Sequence, residues 1–383
     1  MTERLYYNDC YLREFEARVV ERADEGRRIY LDRTAFYPAS GGQPFDLGEL
    51  GGVAVKEIVD EEERIAHVLE APLADTQVRG QIDWPRRFDH MQQHTGQHLL
   101  SAVLVELYGM RTVSFHMGAA SSTIEVETPA LESKQLERVE ERCAEIVWEA
   151  RPVTIAYEDS SADLGLRKPS ARAGTLRIIS IDSLDRSACG GTHLRSTAEI
   201  GPILLRKLEK IRGNTRLEFV CGLRAIRQAR QDFRTLAEIS RIVSAPFEET
   251  PALVQAQMDK ARTLEKNLAR ALTDLARREG RELYEATAPD QSGLRRATQR
   301  GAIDEAMRAR AQAFTGGAKA VFLAISENPP AVLLAASPDS GVNAGERVKT
   351  AVSAAGGRGG GNAAMAQGSV PSAKLESIIA ELC

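Results

Sequence analysis

Two short runs carry residue types that bind metals. His94 and His98 stand four apart in HTGQH, and Cys189 and His193 stand four apart in CGGTH. On a helix, positions i and i+4 share a face, so both imidazoles of the first pair can reach one ion. Alone, that pair reads equally as two partly buried histidines. In the second run Gly190 and Gly191 allow a turn tight enough for a thiolate and an imidazole to converge; the other reading is a buried cysteine beside a glycine turn. Nitrogen and sulfur donors in this number suit zinc, so the two runs together point to one Zn2+ per chain held by His94, His98, Cys189 and His193. His67 reads as a lone strand histidine. His90 lies one helical turn before His94 and is placed to orient a ligand from behind, while His116 in SFHMG either lines a pocket or packs.

A third dense run is TAFYPASGGQPFDLG, from Thr34 to Gly48. It is either a plain turn between strands or a loop in which Gly41 and Gly42 bring backbone close to a ligand that Thr34 or Gln43 then hydrogen-bonds.

These runs need elements to position them. Short β-type stretches separated by glycine, proline and acidic turns fill residues 6 to 83, a small mostly-β domain. Apolar spacing predicts a helix from Arg86 to Gly109 carrying both histidines, and a second from Glu132 to Ala150. Strands at 153–157, 175–181, 203–210 and 216–221 and a helix from Leu223 to Ser244 make the middle of the chain α+β. Val254, Met258, Ala261, Leu264, Leu268, Ala271 and Leu275 recur at three-to-four spacing, a long helix with a seam that packs either on its own domain or on a second subunit. A helix to Phe314, strands at 320–325 and 331–336 and the glycine-dense GGRGGG at 356–361 make a third, α/β domain from about 288 onward. By composition alone the glycine run reads as a flexible linker.

A chain of 383 residues with 43% hydrophobic and 27% charged residues is long enough for two or three domains and excludes a mini-protein or bulk disorder. No signal-peptide core and no run of 18 apolar residues is found, which predicts a cytoplasmic protein with no membrane segment. Five scattered cysteines, Cys10, Cys143, Cys189, Cys221 and Cys383, argue against a disulfide framework. The net charge is −4, yet between Arg206 and Arg234 nine basic residues face three acidic ones. Arg224, Arg227, Arg230 and Arg234 advance by three or four, which on a helix makes either a phosphate-binding stripe or an ordinary solvated face.

The Thr34 to Gly48 run, His94-x-x-x-His98, Cys189-x-x-x-His193 and the glycine-rich end at Gly356 to Gly368, in this order along the chain, resemble the long-form alanyl-tRNA editing proteins, over nearly the whole chain. The resemblance implies an N-terminal β-barrel-like domain (1–85), a zinc-containing α+β editing domain (86–245), a helical connector (246–287) and a C-terminal α/β domain of the DHHA1 type (288–383). It implies hydrolysis of the ester bond in tRNA(Ala) mischarged with serine or glycine, by an editor acting in trans with no aminoacylation module ahead of residue 1. It further implies that Thr34 reads the serine hydroxyl, with Gln43 beside it, and that Arg358, Gly359 and Gly360 help the tail bind tRNA.

Such an enzyme is needed because a pocket for alanine rejects serine only about 10²-fold, whereas a second site that hydrogen-bonds the hydroxyl spares the alanyl ester. Four protein ligands would fill the zinc tetrahedron. Either His193 yields to water or substrate, making zinc a Lewis acid, or zinc only shapes the site. Water is the expected nucleophile, since no serine or cysteine is placed as an acyl-enzyme nucleophile. The seam predicts a homodimer. The competing readings are a zinc-stabilised tRNA-binding protein without hydrolysis, a threonyl-type editor, and a phosphodiesterase, whose aspartate and histidine motifs the sequence lacks.

Overall fold

The computed structural model describes residues 1–161, 163–169 and 173–382; Cys383 lies outside them. The chain divides into two compact units, Met1–Glu238 and Ile239–Cys383.

In the first unit six strands close on themselves in the order Glu14–Ala23, Arg28–Leu31, Arg64–Leu69, Val53–Glu61, Gly48–Leu50 and Gln77–Ile82, the last pairing back to the first. Alternation drives the closure: Phe15, Ala17 and Val19 point inward along the first strand while their neighbours face solvent. The interior is filled by side chains such as Ile29, Leu31, Phe36, Leu50, Ile58 and Ile65.

Helix α1 (Trp84–Tyr108) follows the ring directly. The Asp83 carboxylate accepts from the Arg86 amide at 3.1 Å and Pro85 sits in the first turn, so the start is fixed locally; Gly109, at φ 64°, ends it. Every residue from His90 to Leu104 is buried, because sheets and a second helix, α2 (Ser133–Trp148), enclose it. A buried ion pair between Arg87 and Asp46 ties α1 to the ring, and the same guanidinium donates to the carbonyls of Cys10 and Ala35 at 2.9 and 2.6 Å. Two antiparallel sheets flank the helix. One has the order Ile203–Ile211, Asn214–Cys221, Ser122–Val126, Thr112–Met117, and the other Val153–Asp159, Thr175–Ile181, Asp185–Ala188. Helix α3 (Gly222–Val243) leaves the end of the first sheet.

In the second unit helix α4 (Thr250–Ala286) is longer than the apolar seam that announces it, because its polar ends continue a good helical sequence. It packs on helix α5 (Glu305–Thr315) at Gly280, where a Cβ would lie 2.3 Å from the Arg310 carbonyl oxygen. Most of the seam stays open: Val254, Met258, Leu264, Leu268 and Leu275 are exposed. A mixed sheet runs Arg295–Arg300, Ala320–Glu327, Pro330–Ala336, Met365–Ser369, Arg358–Gly361, the first pair parallel and the rest antiparallel. Helices α6 (Ala344–Ala354) and α7 (Leu375–Leu382), which periodicity does not announce, contribute Val348, Val352 and Ile378 to its core. The glycine run is no linker. Its end forms an edge strand lying so close to its neighbour that a Cβ on Gly359 would come within 3.0 Å of the Gly368 Cα.

Candidate metal centre

Helix α1 puts His94 and His98 on one face with ring centroids 5.4 Å apart. The turn after strand Asp185–Ala188 brings Cys189 and His193 against them, with the His193 ring 4.5 Å from His94 and 4.7 Å from His98. One ligand atom from each of the four residues lies within 4.8 Å of all the others. The three histidines are buried and Cys189 is half-buried. Gly191 is obligatory, since a Cβ there would fall 2.1 Å from the His94 ring.

Each imidazole is held through Nδ1 by an oxygen: His94 by Gln43 Oε1 at 2.7 Å, His98 by Asp185 Oδ2 at 2.9 Å, His193 by Thr95 Oγ1 at 3.2 Å. An oxygen acceptor keeps the proton on Nδ1 and leaves Nε2 bare. The Nε2 atoms of His94 and His193 indeed face the Cys189 sulfur, at 3.4 and 3.3 Å. Although burial alone would raise it, the neighbouring His94 and His193 bring the Cys189 thiol well below its usual value, toward thiolate. Burial, reinforced by the neighbouring His94, holds His193 down at about 3, in the neutral form a ligand needs. Burial works against the charge on Asp185 too, but the bond from His98 and the charge of Arg167, whose Nε lies 2.6 Å away, keep that carboxyl at about 2. His98 differs: burial would lower it, but its bonds to Asp185 and Cys189 raise it to about 9, so an ion bound there displaces a proton. Three imidazoles and a thiolate converging on one point fit a zinc-class cation.

Ser40 to Gln43 form a tight turn closed by Gln43 N–H to the Ser40 carbonyl at 2.9 Å, with Gly41 and Gly42 both at positive φ. The turn delivers Gln43, whose Oε1 accepts from His94 and from the Thr192 amide while its Nε2 donates to Thr192 Oγ1 at 2.8 Å. The structure thus places Gln43 behind a metal ligand. Gly42 packs on the strand beside it, where Phe115 stacks on His94 with centroids 5.4 Å apart. His116, the next residue, is exposed on the edge strand of its sheet.

Thr34 is fully buried among the ring residues. Its Oγ1 lies 2.8 Å from His67 Nε2 and accepts from the Phe36 amide, and His67 Nδ1 faces the Ile29 carbonyl. His90, expected behind a ligand, has a buried Nδ1 with no partner among the described residues; Gln43, Asp185 and Thr95 take that orienting role. Sequence reasoning missed Asp185, Thr95, Thr192 and Phe115. Only Asp185 left a trace, an acidic residue four positions before Cys189.

Of the arginine stripe, Arg224 is committed to an ion pair with Asp89 at 2.6 Å and donates to the Gly118 carbonyl, so α3 is anchored by it. Arg227, Arg230 and Arg234 are exposed, as are Arg358, Gly359 and Gly360. Among the described residues no helix is long and apolar enough to cross a membrane.

Two family models match: the threonyl and alanyl tRNA synthetase second additional domain over residues 176–218, and the DHHA1 domain over 294–383. The first span contains Asp185, Cys189 and His193. The chain is 33% identical over 289 residues to alanyl-tRNA editing protein Aarsd1-A of Xenopus laevis, covering 70% of each. It is 38% identical over 249 residues to alanyl-tRNA editing protein AlaX-L of Pyrococcus horikoshii, covering 61% of each. Against the alanine–tRNA ligase of Pyrococcus abyssi it is 31% identical over 395 residues, which take in 96% of this chain and 42% of the ligase. With the four-residue centre and these matches together, the chain belongs to the family of alanyl-tRNA editing proteins, which are deacylating hydrolases.

Proposed function

We propose that this protein hydrolyses the aminoacyl ester of tRNA(Ala) mischarged with serine or glycine, at a zinc centre made by His94, His98, Cys189 and His193. The observation that supports the metal is the shared orientation of the imidazoles, each with Nδ1 held by an oxygen. With His193 exchanging for substrate, a zinc ion held there would supply positive charge that draws electron density from an ester carbonyl. The chain's own residues set the stage for attack by water. Gln43, Asp185 and Thr95 hold the protons on the far nitrogens, so the near ones stay available as donors. The closed packing of His94 against Gly191 and Phe115 shields the centre.

Selection between serine and alanine falls to Thr34. Its Oγ1 is paired with His67 Nε2 and accepts from the Phe36 amide, which leaves one lone pair for a serine hydroxyl to donate to. The exposed Arg227, Arg230 and Arg234, with Arg358 and the glycine edge strand of the second unit, are the groups placed to take tRNA phosphates. The open stripe from Val254 to Leu275 is where a second copy would pack to give a homodimer.

The test is release of amino acid from Ser-tRNA(Ala), Gly-tRNA(Ala), Ala-tRNA(Ala) and Thr-tRNA(Thr) by the purified protein, repeated with Thr34→Val. Rapid loss of serine or glycine alone supports the reading, and Thr34→Val then narrows the gap between seryl and alanyl esters about tenfold or more. Loss of none of the four esters would leave a tRNA-binding protein, and loss of threonine a threonyl-type editor.

A further inference from the structure

Arg177, on strand Thr175–Ile181, is a buried guanidinium that no carboxylate approaches within ion-pair distance among the described residues. Its partners are instead the backbone of two segments. Nη1 donates to the carbonyl of Cys189 at 2.7 Å and of Gly191 at 3.0 Å, and Nε to the carbonyl of Tyr7 at 2.9 Å. Nη2 reaches the Cys10 sulfur at 3.7 Å. That sulfur donates to the Tyr6 carbonyl at 3.3 Å and accepts from the His193 amide at 3.4 Å. The turn that carries two of the four ligands is therefore pinned at Cys189, Gly191 and His193, all by groups outside it.

A turn with two adjacent glycines has the most backbone freedom to lose, and the bond inside it, Gly191 N–H to Cys189 Sγ at 3.4 Å, is a weak one to sulfur. A planar fork that binds two carbonyls two residues apart selects the conformation in which Cys189 and His193 converge, as a point charge on a flexible stem would not. We propose that Arg177 and Cys10 are positioning residues for the metal centre: together they hold the Cys189–His193 turn in its ligating shape before the ion arrives. The inference rests on reading the cluster as a metal centre. It goes beyond that reading in assigning the preorganisation to the N-terminal segment and a buried arginine, neither of which touches a ligand atom.

The experiment measures zinc affinity by competition with a chromophoric chelator, and the sulfur-to-metal absorption band of the cobalt-loaded protein, for the parent, Arg177→Gln, Arg177→Lys and Cys10→Ala. The expected result is affinity lowered about 10- to 100-fold in Arg177→Gln, with a shifted cobalt band, and about tenfold in Cys10→Ala. Arg177→Lys keeps the charge and loses the fork, so it should behave as Arg177→Gln does. Parent affinity and an unshifted band in Arg177→Gln would overturn the proposal, as would full rescue by Arg177→Lys. Should the Arg177 variants fail to fold, unchanged affinity in Cys10→Ala overturns it alone. A parent that binds neither zinc nor cobalt would instead defeat the metal reading itself.

Discussion

A hydrogen bond to one nitrogen of an imidazole fixes the tautomer and aims the other at a metal, and the three histidines of the centre are each held by a different kind of oxygen: an amide, a carboxylate and a hydroxyl. The same logic governs the buried histidine outside the centre. Burial holds the His67 imidazole at about 4, below its usual 6.5, although the Ile29 carbonyl partly offsets this. The folded protein therefore keeps it neutral, while the unfolded chain takes up a proton as pH falls below 6.5. Its contribution is complete above that value and is lost on the way down to 4, about 3 kcal/mol in all. His67→Gln, whose amide can still donate to Ile29 and accept from Thr34, should lose less stability than the parent between pH 7 and pH 4.5 in denaturant melts; an identical acid loss in both would remove His67 from the account. At this scale the ligands were legible in the sequence because i, i+4 and C-x-x-x-H are local patterns. Their partners were not: Gln43 lies 51 residues from His94 and Asp185 lies 87 from His98, distances only the tertiary fold closes.

Elements do the aiming. The Ser40–Gln43 turn needs two glycines because both central residues take positive φ, Gly41 at 59° and Gly42 at 85°, and the second also has the Phe115 carbonyl oxygen 2.6 Å from where a Cβ would sit. Gly42→Ala should therefore cost about 1–3 kcal/mol and pull Gln43 off His94, weakening metal binding, while Gly41→Ala, with open space at its Cβ, should cost about 1 kcal/mol and leave the metal in place. Thermal melts with and without zinc check both, and equal effects of the two changes would contradict the turn argument. Sequence alone offered the glycines as an approach to ligand; the structure gives them the task of presenting Gln43. Helix α1 and α4 were readable from their apolar spacing. The glycine-rich strand Arg358–Gly361 was not, since glycine carries no periodicity and a strand of four residues is recognised only by the neighbour it pairs with.

For the whole molecule, a net charge of −4 hides a division of labour, with Arg224 spent on Asp89 and the next three arginines of α3 exposed. Replacing Arg227, Arg230 and Arg234 together by Gln should weaken tRNA binding and reduce the slope of log affinity against log salt by about one per arginine. Unchanged slopes would make that face ordinary solvated surface. Everything else proposed for the molecule, from substrate choice to the pinned turn, presupposes that the four converging side chains hold an ion. The most direct measurement is metal content by plasma mass spectrometry on purified parent and Cys189→Ala protein. One zinc per parent chain and a sharp loss in the variant are the predicted result; no metal in the parent, or full occupancy without the thiolate, would contradict it.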